Sequence, residues 1–143
     1  MQRLIEFIGN HPVLAAAFVG LILAWIIWEV MQRFRGFTEI SPAALVRMIN
    51  DDTATLFDLG AIADYSQGHI TGAKHMAPSQ LDPQSREMEK LKERPIALYC
   101  KNGMASPAAA TRLVKAGFTQ VHVLKGGLQS WLADSLPVVK GKK

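Results

Sequence analysis

A single cysteine, Cys100, stands in this chain of 143 residues, so no internal disulfide can form and no cysteine pair is available to hold a metal. The four histidines, His11, His69, His75 and His122, are scattered without ligand spacing, and neither a metal site nor another cofactor is expected. No repeat or low-complexity segment is present, and the net charge of +4 is spread along the chain. The ending Lys140 Gly141 Lys142 Lys143 reads as a solvated basic tail with at most a weak attraction to anionic lipid, and nucleic acid is not an expected partner. Charge of either sign is also missing from Pro12 to Trp28, and that absence divides the chain.

Past a single Glu29, Val30 and Met31 extend the uncharged run to about twenty residues, roughly 30 Å of helix, enough to cross the hydrocarbon core. Trp25 and Trp28 fall near one end, where amphipathic aromatics prefer the interface. A cleaved signal peptide would place small residues after a shorter apolar core, whereas Ala15, Ala16 and Ala17 lie at the start of this run and bulky, basic residues follow it. The run is therefore expected to be an uncleaved anchor in a lipid bilayer. Arg3 alone precedes it and Arg33, Arg35 and Arg47 follow, which sets the C-terminal domain in the cytoplasm. A free thiol agrees with that reducing compartment. The expected division is a short N-terminal segment at 1–11, a transmembrane helix at 12–31, a juxtamembrane linker at 32–37, one domain at 38–138 and a basic tail at 139–143.

Within the domain, short apolar runs alternate with helical patterns, which predicts an α/β fold with a mostly parallel sheet flanked by helices. Strands are expected at Thr38 to Ile40, Ala54 to Phe57, Ala73 to Met76, Ile96 to Tyr99 and Val121 to Leu124. Helices are expected from Ser41 Pro42 to Ile49, Ala61 to Gln67, Glu87 to Lys92, Pro107 to Ala116 and Leu128 to Leu132. Cys100 ends the strand run Pro95 Ile96 Ala97 Leu98 Tyr99 and begins the loop Lys101 Asn102 Gly103 Met104 Ala105. Ser106 Pro107 then reads as a serine N-cap with proline at the first helical position. Free cysteine often merely fills a core. At the C-terminal edge of a strand, beside unpaired amides and the positive end of a helix dipole, it reads instead as an anionic sulfur nucleophile.

Three blocks in order resemble the rhodanese-like sulfurtransferases, from about Thr38 to Val138. The first is Leu56 Phe57 Asp58 Leu59 with Asp64 Tyr65 and Gly68 His69 Ile70 Thr71 Gly72 Ala73. The second is the loop from Cys100 to Ser106, and the third is Gly117 Phe118, Val121, Leu124, Gly126 Gly127 and Trp131. The resemblance implies a rhodanese-like fold whose cysteine, Cys100, takes the outer sulfur of a donor such as thiosulfate or polysulfide. Cys100 would then carry it as a persulfide and pass it to a thiol, a protein or another nucleophilic acceptor. Lys101, Asn102, Gly103, Met104, Ala105 and Ser106 would cradle the anion, largely through backbone amides, and Lys101 would add charge for an anionic donor. Asp58 is expected behind the site, bonding the loop's amides, His69 as a structural imidazole, and Trp131 in the core.

With its anchor, the chain looks like the single-domain, single-pass members of the bacterial inner membrane, where other membrane proteins are further expected partners. Two departures bear on the chemistry. Gly60 stands where relatives carry an arginine, which removes an ion pair expected on Asp64, and the loop lacks further basic residues, so weak activity with thiosulfate or a different donor is expected. Cysteine-dependent phosphatases share the loop length but grip phosphate with an arginine where this chain has Ser106, so phosphoryl chemistry loses its clamp. A second class of function is an interaction or scaffold module at the membrane with little or no turnover, and the reactivity of Cys100 separates the two.

Overall fold

The computed structural model describes residues 1–33 and 36–141; Phe34 and Arg35 of the expected linker and Lys142 and Lys143 of the basic tail lie outside the described residues. Contacts divide the chain into two units, Met1–Arg35 and Gly36–Lys143. In the first, helix α1 (Gln2–Asn10) is followed by α2 (Pro12–Arg33). Proline at the first position of α2 has no amide to offer α1, so the two helices are separate, and His11 closes α1 by donating its N–H to the Phe7 carbonyl. The sequence reading leaves 1–11 without an element, because a helix this short shows no apolar run. Ile5, Phe7 and Ile8 are exposed on α1, and with Leu14, Ala15, Phe18 and Val19 some of them line an apolar cleft of about 490 Å³ between the helices. Pro12–Met31 is long and apolar enough to cross a membrane, and none of it is buried against protein. The helix continues to Arg33, so the first residues of the expected linker are helical.

The second unit is built on a five-stranded parallel sheet in the order β1-β5-β4-β2-β3. Its strands are β1 (Thr38–Ile40), β2 (Thr55–Asp58), β3 (Lys74–His75), β4 (Ile96–Tyr99) and β5 (Val121–Leu124). The helices are α3 (Pro42–Asn50), α4 (Ile62–Gln67), α5 (Arg86–Glu89), α6 (Ser106–Lys115) and α7 (Gly127–Ala133). Parallel strands need long return connections, and helices supply them while covering both faces. That is why β4 is apolar at every position and wholly buried. On one face Ile96 and Leu98 pack with Met88 of α5 and with Ala109, Ala110 and Leu113 of α6. On the other, Ala97 and Tyr99 pack with Leu45 of α3 and Trp131 of α7.

Local signals account for most element ends. Ser41 caps α3 by accepting the Ala44 N–H at 3.2 Å, with Pro42 behind it, and Gly68 follows the last residue of α4. The charged stretch expected as a helix from Glu87 to Lys92 forms only the single turn of α5, starting at Arg86 and capped by Ser85. Its sole buried residue is Met88, and one apolar anchor does not hold a longer helix against the sheet. Trp131 is buried as expected, and its Nε1–H donates to the Pro137 carbonyl at 3.0 Å.

Since β4 is the central strand and Leu98 is fully buried, Leu98→Ala is expected to lower stability by about 2–5 kcal/mol through lost transfer energy and the cavity left behind. Denaturant unfolding followed by circular dichroism checks this, and a loss below about 1 kcal/mol would contradict the packing described.

Candidate active site

Sheet topology puts the C-terminal ends of β2, β4 and β5 side by side, the edge where open α/β sheets form their crevices. Cys100 leaves β4 at this edge and α6 begins at Ser106, so residues 101–105 turn the chain back over the sulfur. The Ala105 N–H donates to Cys100 Sγ at 3.4 Å. Ser106 was expected as the N-cap, but the cap position is Ala105 and Ser106 is the first residue of α6. Ser106 therefore lies inside the first turn of α6, with Pro107 as the second helical residue. Ser106 is fully buried and its hydroxyl forms no hydrogen bond among the described residues, the anionic form of Cys100 being the charge it would answer. Burial pushes the Cys100 thiol up, but the Ser106 hydroxyl and the amides of Ser106, Ala105 and Gly103 outweigh it and bring the thiol below its ordinary value. Hydrogen bonds to the charged form, not a neighbouring cation, are what favour the thiolate.

Glycine backbone packed against glycine backbone holds the loop in place. Gly103 has a left-handed φ of 79°, and a side chain there would meet the Gly126 backbone at 3.1 Å. Gly127, with φ of 62°, lies so close that a Cβ would collide with the Cys100 carbonyl oxygen and the Gly103 nitrogen. This approach lets the first amides of α7 reach back into the loop, Leu128 N–H to the Cys100 carbonyl at 2.8 Å and Gln129 N–H to the Lys101 carbonyl at 3.0 Å. The Gly126 Gly127 pair was visible in the sequence only as part of a closing pattern; its task is to bring α7 onto the loop.

Of the remaining loop side chains, Lys101 and Met104 face outward, whereas Asn102 turns its Oδ1 toward the sulfur. Asn102 Oδ1 accepts the Met104 N–H at 3.1 Å and lies 3.8 Å from Sγ. Met104 is 79% exposed. Lys101 does not stand free: its Nζ is 3.2 Å from Asp64 Oδ1 on α4. The ion pair on Asp64, expected to be missing because of Gly60, therefore exists with a different partner, supplied by the loop itself.

Asp58 does not reach the loop's amides as expected. Its Oδ1 accepts the Gly60 N–H at 2.7 Å, because a glycine two residues on can fold back over the carboxylate in a short side-chain turn. His75 Nε2 also bonds this turn, at 2.8 Å from the Gly60 carbonyl. Burial first, and the Asp58 charge and hydrogen bond with it, push the Tyr99 phenol well above its ordinary value. Asp58 thus bears on the site through Tyr99, the residue before Cys100. Tyr99 in turn accepts the Ile70 N–H at 3.1 Å. His69 is buried and stacked on Tyr65 with ring centroids 3.8 Å apart, and its Nδ1 bonds the Tyr65 carbonyl at 2.8 Å, a structural placement.

Because the thiol ionises below its ordinary value, the thiolate fraction, and with it the rate of alkylation, should rise at lower pH than for a free cysteine. The native state also gains stability as pH rises from the lowered native value toward that of the unfolded chain, since the unfolded chain then holds the extra proton. Ser106→Ala removes one of the bonds that favour the anion, and the midpoint of the alkylation profile is expected to move upward. An unmoved midpoint would show that Ser106 does not act on the sulfur.

A buried cysteine beside the amides of a tight loop at the end of a central parallel strand has counterparts among known proteins. The profile of the Rhodanese-like domain matches residues 41–134. The uncharacterized protein YibN of Escherichia coli is 34% identical over 143 residues, covering 99% of this chain and 100% of that protein. The thiosulfate sulfurtransferase GlpE of Glaesserella parasuis is 30% identical over 105 residues, 73% of this chain and 95% of that one. The crystal structure of a thiosulfate sulfurtransferase from Pseudomonas aeruginosa superposes with a TM-score of 0.65 at 26% identity, over 74% of this chain and 20% of that longer protein. A rhodanese-related protein from Thermoplasma volcanium superposes with a TM-score of 0.61 at 26% identity, over 71% of this chain and 97% of its own. The α/β unit that carries Cys100 is a rhodanese-like domain, and the chain belongs to that family, which is related to the sulfurtransferases.

Proposed function

We propose that this protein is a membrane-anchored sulfurtransferase that carries sulfane sulfur as a persulfide on Cys100. The observation that supports it most is the setting of the sulfur: the Ala105 amide in contact with it, a buried and unbonded serine hydroxyl at the start of α6, and a thiol lowered in spite of burial. A thiolate so held is a nucleophile that needs no general base. It attacks the outer sulfur of the donor, the donor's S–S bond breaks, and the electron pair leaves with the remainder, sulfite in the case of thiosulfate. The new persulfide lies in the same cradle, where the amides of Gly103, Ala105 and Ser106 stabilise negative charge on sulfur. A thiol acceptor, free or on a protein, then attacks the outer sulfur of the persulfide, and Cys100 returns as thiolate. The reaction so written requires no metal or other cofactor.

Anchoring is the second part of the reading. The exposed apolar stretch Pro12–Met31 supports a single pass through the bilayer, and the arginines at 33, 35 and 47 against Arg3 support a cytoplasmic domain at a bacterial inner membrane. Proteins of that membrane are then the partners within reach.

Intact mass spectrometry of the full chain in detergent, after exposure to thiosulfate or polysulfide, tests the chemistry. A gain of one sulfur atom is expected, removed by cyanide or a thiol and absent in Cys100→Ser. No gain from either donor, with a thiol that also resists alkylation at neutral pH, would leave an interaction module instead. For the anchor, the expressed chain should remain in the membrane pellet after an alkaline wash. Arginine at both Ile22 and Leu23, each costing about 2.5–3.5 kcal/mol at a helix centre, should release it, and release of the unaltered chain would defeat the anchor.

A further inference from the structure

Two groups in the loop that would ordinarily serve an anionic donor are already occupied by the protein. Lys101 is the only cation among residues 101–105, and it is held by Asp64 at 3.2 Å, both side chains being partly exposed. The Met104 amide is taken by Asn102 Oδ1 at 3.1 Å, and the same oxygen, 3.8 Å from Sγ, presents the negative end of an amide dipole beside the nucleophile. Arg112, the guanidinium of α6, is committed to the carbonyls of Pro78 and Leu81 at 3.0 and 2.9 Å. What remains near the sulfur is a set of amides and one hydroxyl that serve the sulfur itself. Outside it the rim carries an exposed thioether side chain, Met104.

We infer that Asp64 and Asn102 set the donor class of this site, which takes sulfane sulfur from a thiol-bound persulfide and discriminates against thiosulfate; the inference rests on the sulfurtransferase reading above. Thiosulfate is a dianion, and its attack by Cys100 builds charge on a sulfite whose three oxygens call for donors or a cation. A persulfide asks for less. The Cys100 thiolate attacks the outer sulfur of R–S–SH, the S–S bond breaks, Cys100 keeps that sulfur and its proton as Cys100–S–SH, and R–S⁻ leaves with the electron pair and later takes a proton from solvent. No oxidant or reductant enters. A lone ammonium attracts a dianion with an energy that falls only as the inverse of distance, whereas an ammonium paired with a carboxylate acts as a dipole, whose attraction falls off faster. The ion pair contributes little to stability at such exposure, so its consequence lies in this field. Asp64 is accordingly a positioning residue that acts through Lys101.

Donor competition tests this. The full chain in detergent is assayed for loading of Cys100 from thiosulfate and from cysteine persulfide, which carries one negative charge fewer. The unaltered chain is expected to prefer the persulfide. Asp64→Asn frees Lys101 and should raise the thiosulfate-to-persulfide ratio of kcat/KM on the order of three- to tenfold, a gain that shrinks as ionic strength rises. Adding Lys101→Met to Asp64→Asn should cancel the gain, as a coupled pair requires. Asp51→Asn, which makes the same change in net charge after α3 at the N-terminal edge of the strands, should leave the ratio where it was. An unaltered chain that prefers thiosulfate, or a ratio unmoved by Asp64→Asn while both donors load Cys100, overturns the inference and leaves the sulfurtransferase reading intact. Loading from neither donor removes that reading and this inference with it.

Discussion

The close approach of α7 to the end of β4 is the constraint on which the rest of this site depends. It exists because position 127 has no side chain, so that backbone meets backbone at the Cys100 carbonyl. From that contact follow the amide bonds from Leu128 and Gln129 into residues 100 and 101, the left-handed turn at Gly103 against Gly126, and the return of the chain to α6. Only with the loop so folded does the Ala105 amide reach the sulfur, with the Ser106 hydroxyl buried at the start of α6. The chemistry of the cysteine is therefore a property of a strand, two helix ends and a glycine pair together, and not of the cysteine or of a helix dipole alone.

The surroundings of the turn show the same economy of charge. Asp58, Tyr99, Gly60 and His75 form a connected group beneath the loop, in which a buried carboxylate is answered by an amide and a phenol. Charge-assisted hydrogen bonds of this kind hold a buried carboxylate far better than an unpaired position would. Asp64 meets the only cation in the loop. Around Cys100, full charges are matched by the protein's own groups, and the sulfur is left to partial charges.

What was legible in the sequence was what is local. The uncharged run at 12–28, the apolar strand ending at Tyr99, the glycine after α4 and the proline in α6 each declare an element through residues within a few positions of one another. The position of Ser106 was misread by one step, because a Ser-Pro pair fits an N-cap followed by the first helical residue and equally fits the first and second helical residues. Which of the two applies depends on how residues 101–105 close the loop, and nothing within the pair declares it. Lys101 meeting Asp64, and Asp58 folding back on Gly60, depend on where side chains point after the sheet has assembled, which no spacing in the chain encodes. Helix α1 escaped for the opposite reason: it is local, but its few apolar residues form no run.

The chain's last described segment is less idle than its place suggests. Val139 exchanges two backbone hydrogen bonds with His69, at 2.9 and 2.8 Å, and Gly141 donates to the Ser66 carbonyl at 3.1 Å. The first contact lands just past the end of α4 and the second on its last turn, while Asp64 lies in its first turn. This segment is thus a latch on the wall of the crevice, acting with the buried Tyr65, whose hydroxyl donates to the Ala73 carbonyl at 2.8 Å, to keep the six-residue α4 in its place. A tag or fusion partner joined after Gly141 leaves the latch closed; a chain trimmed before Val139 would loosen the wall while leaving every residue around the sulfur unchanged.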